Sequence, residues 1–86
     1  MRSYYENQTS IDSFYEEFEA LFQDDLKKCK YLEFHFYSND KIKYKEAIKF
    51  IENMQNEKSI ENSIYKFVDT NDYKDDIFYQ IWIFYN

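Results

Sequence analysis

The 86-residue chain contains no glycine and no proline. Without glycine, a backbone does not readily adopt positive φ or let a phosphate group approach closely. Functions that depend on a glycine-rich loop are therefore excluded, among them the P-loop, the dinucleotide-binding turn and the nucleophile elbow of hydrolases. Turns must instead be built from asparagine, aspartate and serine, whose short side chains bond to the neighbouring backbone.

Composition indicates a small folded domain with a strong negative charge. Seventeen acidic residues against eleven basic ones give a net charge of −6, while 44% of the residues are apolar and 23% aromatic. Disordered chains are poor in aromatic residues, so we expect residues 1–86 to form a single compact domain. We leave open whether residues 1–9 are ordered. An acidic domain repels nucleic acids and acidic membranes and attracts basic protein surfaces.

Several features predict where the protein works. The sequence shows no long apolar segment and no secretory leader, so we expect no contact with a membrane. Cys29 is the single cysteine, and a chain that cannot form an internal disulfide favours a reducing compartment. Phe, Tyr, Ile, Asn and Lys, whose codons are AT-rich, are abundant and indicate an AT-rich genome. We expect a cytoplasmic protein of a bacterial or archaeal cell, or of a virus-infected host.

The first periodic segment predicts a helix over residues 11–28. Apolar residues recur there at the spacing of a half-buried helix. Its start is marked by Ser10, or by Ser13 with Glu16 as a capping box.

The next segments predict a strand and a second helix. Residues 31–37 alternate between apolar and polar, which is typical of a strand with one buried face. Residues 38–40 are Ser-Asn-Asp, which ends the strand and offers a helix N-cap. Helical periodicity then extends over residues 41–55, with four lysines on the polar side.

The last third predicts a β-hairpin. Its strands are residues 63–68 and 73–85, joined by the turn-forming residues 69–72. This register sets two favourable pairs opposite each other, Lys66 with Asp75 and Ile64 with Ile77.

Together these elements predict an α+β domain in the order α-β-α-β-β. We expect a three-stranded, largely antiparallel sheet with both helices packed on one face. Residues 77–85 are apolar on both faces, so this strand should be central. The second sheet face would then be aromatic and bare, which is a first indication of an interface.

The sequence offers no catalytic, metal or cofactor site. His35 and Cys29 are the only residues of their types and have no partners at metal-ligand spacing. We interpret His35 as a polar-face strand residue. Nearby lysines could lower the pKa of the Cys29 thiol, but we favour a Cys29 that is simply buried or simply exposed. Asp75 and Asp76 follow the opening of a calcium-like loop, but the required glycine and bidentate glutamate are missing. We therefore expect a protein that is not an enzyme and carries no cofactor and no metal.

The most informative feature is an acidic stripe on the first predicted helix. Asp12, Glu16 and Glu19 recur at helical spacing and share one face, which Glu17 and Asp24 widen. At a rise of about 1.5 Å per residue, successive carboxylates lie roughly 4.5–6 Å apart along the axis. This spacing is comparable to that of charge along a nucleic-acid strand, about 3.4 Å per nucleotide. The alternative interpretation is an ordinary solvated helix face.

In size, charge and lack of catalytic residues, the chain resembles small acidic inhibitors as a class. These include viral anti-CRISPR and anti-restriction proteins that imitate nucleic acid, and immunity proteins that cap nuclease toxins. The resemblance implies a binding protein that occupies the nucleic-acid groove of a basic effector or nuclease. The residues that we predict to bind this partner are Asp12, Glu16, Glu17, Glu19, Asp24, Asp72, Asp75, Asp76, Tyr31 and Tyr37.

Two other functions remain open at this point. One is a homo-oligomeric structural or regulatory subunit, a homodimer for example, whose aromatic sheet face is buried by its own copy. The other is direct nucleic-acid binding through the lysines of residues 41–55, which the acidic segments on either side disfavour.

Overall fold

The computed structural model describes residues 2–24, 29–58 and 63–85. Their elements follow the order β-α-β-α-β-β. They are β1 (Arg2–Thr9), α1 (Ile11–Asp24), β2 (Tyr31–Ser38), α2 (Lys41–Lys58), β3 (Ser63–Asp69) and β4 (Ile77–Phe84). The protein is a small α+β domain with two helices and a four-stranded mixed sheet. The predicted α+β class is confirmed.

The predicted number and order of strands were wrong. The sheet has the order β1-β4-β2-β3, with β4 antiparallel to both of its neighbours and β2 parallel to β3. The central position expected for β4 is confirmed. The physical reason is burial. Every residue of the two inner strands, β2 and β4, is buried or half-buried, whereas β1 and β3 include the exposed positions that are typical of a sheet edge.

The predicted hairpin between the last two strands was also wrong. β3 pairs with β2, because α2 crosses over the sheet and returns the chain to run parallel to β2. The connection over residues 70–76 then passes the end of β2 to reach β4. The observed partners are Lys66 with His35 and Ile64 with Glu33, in place of the predicted Asp75 and Ile77.

The fourth strand, β1, was missing from the prediction. Its residues pair with β4 along the whole strand, from Arg2 opposite Phe84 to Thr9 opposite Ile77. Its sequence is too polar to show a buried face, since only Tyr5 packs against the core. Backbone pairing with β4 and the contacts of Tyr5 therefore hold a strand that hydrophobic alternation does not reveal.

Both helices begin at the predicted caps. The Ser10 hydroxyl accepts a hydrogen bond from the Ser13 backbone N–H at 3.2 Å, and the Asp40 carboxylate accepts one from Ile42 at 2.9 Å. α1 ends at Asp24, and the predicted extension to Lys28 lies outside the described residues. α2 runs three residues beyond the predicted Gln55.

The core lies between the helices and one sheet face, as predicted. Phe14 of α1 contacts Phe34 of β2 and Tyr79 of β4, with ring centroids 5.5 and 5.1 Å apart. Tyr44 of α2 packs on Phe67 of β3 at 5.0 Å on the same face. No helix of the described residues is long and apolar enough to cross a membrane.

Candidate partner-binding site

The acidic row predicted on α1 lies on its outer face. Asp12, Glu16 and Glu19 are exposed, because Phe14 and Phe18 turn the opposite side of the helix into the core. Across residues 2–24, 29–58 and 63–85, the only ion pair joins His35 to Glu33 at 2.9 Å. No lysine or arginine in that part of the chain therefore neutralises the row. The result is a line of three solvated carboxylates on a helix anchored by two phenylalanines.

Glu17 has a different environment from the rest of the predicted row. Its carboxylate accepts a hydrogen bond from the Tyr79 hydroxyl and two from the Asn7 amide, at 3.0 and 3.2 Å. Burial, with the nearby Glu17 carboxylate as a second cause, holds the pKa of Tyr79 far above its usual value of 10.0. Glu17 thus ties α1 to β1 and β4. The side chain of Asp24, which was predicted to widen the row, lies outside the described part of the molecule.

An open cavity of about 460 Å³ lies beside the row, between α1 and β1. Its walls include the Tyr5, Ala20, Leu21 and Tyr79 side chains, with Glu17 at the polar end. A carboxylate keeps about four acceptor positions, so Glu17 can receive further donors besides Asn7 and Tyr79. Apolar walls with a carboxylate at one end suit the aliphatic stem and charged head of an arginine or lysine side chain.

The predicted acidic turn forms a separate group at one end of the sheet. Asp72 and Asp75 are exposed and Asp76 is half-buried. Together with Gln8 and Lys74, they line a second open cavity of about 420 Å³. β1 leads directly into α1, and Gln8 lies on this cavity, so the turn is at the same end of the molecule as the start of α1.

Tyr31 and Tyr37, predicted as partner anchors, lie on the other side of the sheet. The side chains of β2 that face the helices are its buried ones, and these two tyrosines alternate with them. Tyr37 donates a hydrogen bond to Gln80 at 2.7 Å, and Tyr31 packs on Phe84 with ring centroids 4.7 Å apart. The structure therefore separates the tyrosines from the acidic row by the thickness of the sheet.

That second sheet face carries aromatic residues which the site prediction missed. Trp82 contacts Tyr4 at 5.0 Å and His35 at 4.6 Å between ring centroids, and Phe78 stacks on Tyr73 at 5.3 Å. Alternation along β4 places Phe78 and Trp82 on this face, and that signal was available in the sequence. The position of Tyr4 was not, because β1 was not predicted.

Among residues 41–54 of α2, whose side chains the structure describes, the lysines form no continuous cationic surface. Lys41, Lys45 and Lys49 are exposed, but Lys43 donates its ammonium to the Asp75 carbonyl oxygen at 2.9 Å. Exposed Glu46 lies among them on the same helix. This arrangement does not favour phosphate binding along α2.

Cys29 is buried, and its thiol donates to the Tyr31 carbonyl oxygen at 2.9 Å. Burial raises its pKa, so the reactive thiolate is disfavoured. In the part of the chain that the structure describes, no three His, Cys, Asp or Glu side chains are grouped as metal ligands. Comparison with known proteins adds no relative: no protein-family model and no curated protein matches this chain.

Proposed function

We propose that this protein is a non-catalytic inhibitor that binds the basic surface of a nucleic-acid-processing protein and excludes its nucleic acid. The observation that carries the proposal is the row of Asp12, Glu16 and Glu19, exposed and without a cationic partner among the described residues. We place it in the cytoplasm, since a free buried cysteine suits a reducing compartment.

The spacing of the row suits a surface built for phosphates. Along α1, Asp12 and Glu16 are separated by about 6 Å and Glu16 and Glu19 by about 4.5 Å, at 1.5 Å per residue. Nucleic-acid charge repeats at a comparable interval of about 3.4 Å per nucleotide on each strand. A groove whose lysines and arginines bind consecutive phosphates therefore offers partners to consecutive carboxylates.

The row is held in place before binding. Phe14 and Phe18 are fully buried, Ser10 caps the first turn, and Glu17 is fixed by Tyr79 and Asn7. A helix anchored in this way loses little further freedom on binding, which favours affinity. The cavity between Leu21 and Glu17 adds a place where one basic side chain of the partner can insert.

The test begins with the purified protein immobilised and exposed to a lysate of the native host. Retained proteins are identified by mass spectrometry, and the partner is then purified. Association rates are measured at several salt concentrations for the wild type and for Glu16→Lys/Glu19→Lys. We expect the double variant to associate about tenfold more slowly at low salt, with a weaker dependence on salt, because the steering charge is reversed.

A matched control carries the same change of net charge elsewhere. Glu52 and Asp69 are exposed and lie outside α1, so Glu52→Lys/Asp69→Lys should keep most of the wild-type rate. An oligonucleotide bound by the partner should also compete with the protein. The proposal is rejected if the α1 variant keeps the wild-type rate and salt dependence, or if oligonucleotide and protein bind the partner together.

A further inference from the structure

We propose that two copies of this chain pair through the sheet face opposite α1 and α2, about a two-fold axis parallel to the strands and midway between β4 and β2. We call this surface the open face. It consists of those strand residues whose side chains point away from the helices and which alternate along each strand with the residues that face the core. The inference concerns a different surface from the acidic row, so it stands or falls independently of the proposed function.

The register of the sheet defines one row across all four strands. Glu6 of β1 is level with Gln80 of β4, which is level with His35 of β2, which is level with Lys66 of β3. The acid and the base of this row thus lie at opposite edges of the same face.

A half-turn about an axis along the strands reverses the order of the strands but keeps each row level. In a face-to-face pair, β1 of one copy therefore lies over β3 of the other. Glu6 of each copy faces Lys66 of the other, so the operation creates two identical pairs of opposite charge. Glu6 and Lys66 are therefore complementary to themselves under this one operation.

In the adjacent row, the two edge positions are apolar and come together in the same way. Tyr4, Trp82, Glu33 and Ile64 are level across the sheet. The two-fold axis sets Tyr4 of one copy over Ile64 of the other. These two large hydrophobic side chains of the strands are substantially exposed to water, Tyr4 at 40% and Ile64 at 48%. Pairing removes both from water at once, which is favourable at each of the two equivalent contacts.

A third row adds aromatic contacts. Phe78 of β4 and Tyr37 of β2 are level with each other on the two central strands. The axis therefore places Phe78 of each copy over Tyr37 of the other. Both are half-buried in the single chain, with ring centroids 5.4 Å apart. Offset contacts between such rings contribute beyond the burial of their area.

The size of the face is sufficient for a specific but weak dimer. Four strands at about 4.8 Å spacing and eight residues at about 3.3 Å each give roughly 500 Å² per copy. About 1,000 Å² in total is the lower limit for a specific interface. A dimer of this size should dissociate on dilution, so its population is measurable.

The test exchanges the charges of Glu6 and Lys66 and measures the dimer by sedimentation velocity. Protein concentrations run from about 1 to about 200 µM, a range over which the population of a weak dimer changes. Wild type should form a dimer at the upper concentrations. Glu6→Lys and Lys66→Glu should each raise the dissociation constant about tenfold, because two like-charge pairs replace two opposite ones. The combined variant restores opposite charges and should return to within about threefold of the wild type.

Two controls separate the interface from general effects of charge. Lys45→Glu and Glu52→Lys make the same single changes on exposed positions of α2 and should leave the dimer unchanged. Far-UV circular dichroism confirms that each variant is folded. Independently of charge, Ile64→Asn should abolish the dimer while preserving the fold, since Ile64 is 48% exposed.

The outcome is decisive in either direction. A wild type that is monomeric at about 200 µM overturns the proposal, as does a dimer that both single variants leave intact or that the combined variant does not restore. Because Glu16→Lys/Glu19→Lys lies on α1, it should leave dimerisation unchanged, which keeps a failure here separate from a failure of the inhibitor proposal.

Discussion

Tyr79 joins the core to the polar network beside α1. Its ring packs against Phe14 and Phe34, only 3% of the residue is exposed, and its hydroxyl donates to Glu17. Burial, and then the Glu17 carboxylate, raise its pKa well above 10.0. In the unfolded chain the phenol ionises near its ordinary value. This contribution to stability is therefore complete below pH 10 and falls as the pH rises beyond it.

Replacing Tyr79 with phenylalanine should lower the free energy of unfolding by about 1–2 kcal/mol at neutral pH, because a hydrogen bond to a carboxylate is lost. Above pH 10.0, the ordinary value for this phenol, the stability of Tyr79→Phe should fall less steeply than that of the wild type. Urea denaturation at a series of pH values measures both effects. Tyr44→Phe is the control, since burial alone raises the pKa of Tyr44. Equal stabilities of Tyr79→Phe and wild type at neutral pH would contradict the role of this bond.

Lys74 shows how the chain makes a turn without glycine. It has a φ of +52°, the one positive value among the described residues. A side chain in this left-handed region costs about 1–2 kcal/mol relative to the right-handed conformation. Two backbone hydrogen bonds hold this turn. The Asp76 N–H donates to the Tyr73 carbonyl oxygen at 2.9 Å, and the Lys74 N–H donates to the Asn71 carbonyl oxygen at 3.3 Å.

Lys74→Gly should therefore stabilise the protein by up to about 1 kcal/mol, because relief of the backbone strain exceeds the added freedom of glycine in the unfolded chain. Thermal denaturation gives the comparison. Lys74→Ala removes the same charge but keeps the left-handed penalty, so it should not stabilise. If both variants change stability equally, the effect comes from the lysine side chain and not from its backbone.

At the scale of elements, the helices were predictable because their information is local. The spacing of Phe14 and Phe18, and the caps at Ser10 and Asp40, all lie within or next to the helix concerned. The acidic row of the candidate site follows from the same periodicity. The bond of Glu17 to Tyr79 does not, because it depends on where α1 lies over β4.

Strand pairing depends on distant parts of the chain, and here the prediction failed. The chain does reverse after β3, over residues 70–76, but a turn signal does not say whether the strands that it joins become neighbours. β1 was missed because its polar residues depend on pairing with β4 rather than on a buried face of their own. The bare aromatic face followed from alternation along residues 77–84 alone, and was therefore predicted without the correct strand order.

Amide hydrogen exchange distinguishes the observed strand order from the predicted hairpin. β2 and β4 have neighbours on both sides, so consecutive amides of each should be protected. β1 and β3 are edges, and alternate amides should exchange rapidly because they point away from the only neighbour. Measurement by NMR at low temperature, with α1 and α2 as internal references, gives the pattern. Rapid exchange of alternate amides from 32 to 37 would make β2 an edge strand, as in the predicted hairpin arrangement, and would contradict this topology.

At the scale of the molecule, the two proposed binding surfaces lie on opposite sides. The outer face of α1 and the open sheet face are separated by the core, in a domain with a radius of gyration of 12.3 Å. A dimer formed through the sheets would carry one acidic row on each outer side. Two partner molecules could then be held by one dimer without contact between them.

The order of the strands also sets when this domain can form during translation. In the sheet, β4 lies between β1 and β2 and pairs with both, but in the sequence it follows all the other strands. While residues 2–69 emerge from the ribosome, β1 has no strand to pair with, and only β2 and β3 can associate. β1 must therefore remain without its partner strand until residues 77–84 leave the exit tunnel. Pausing before that point would expose the aromatic side chains of an unfinished sheet to chaperones and proteases.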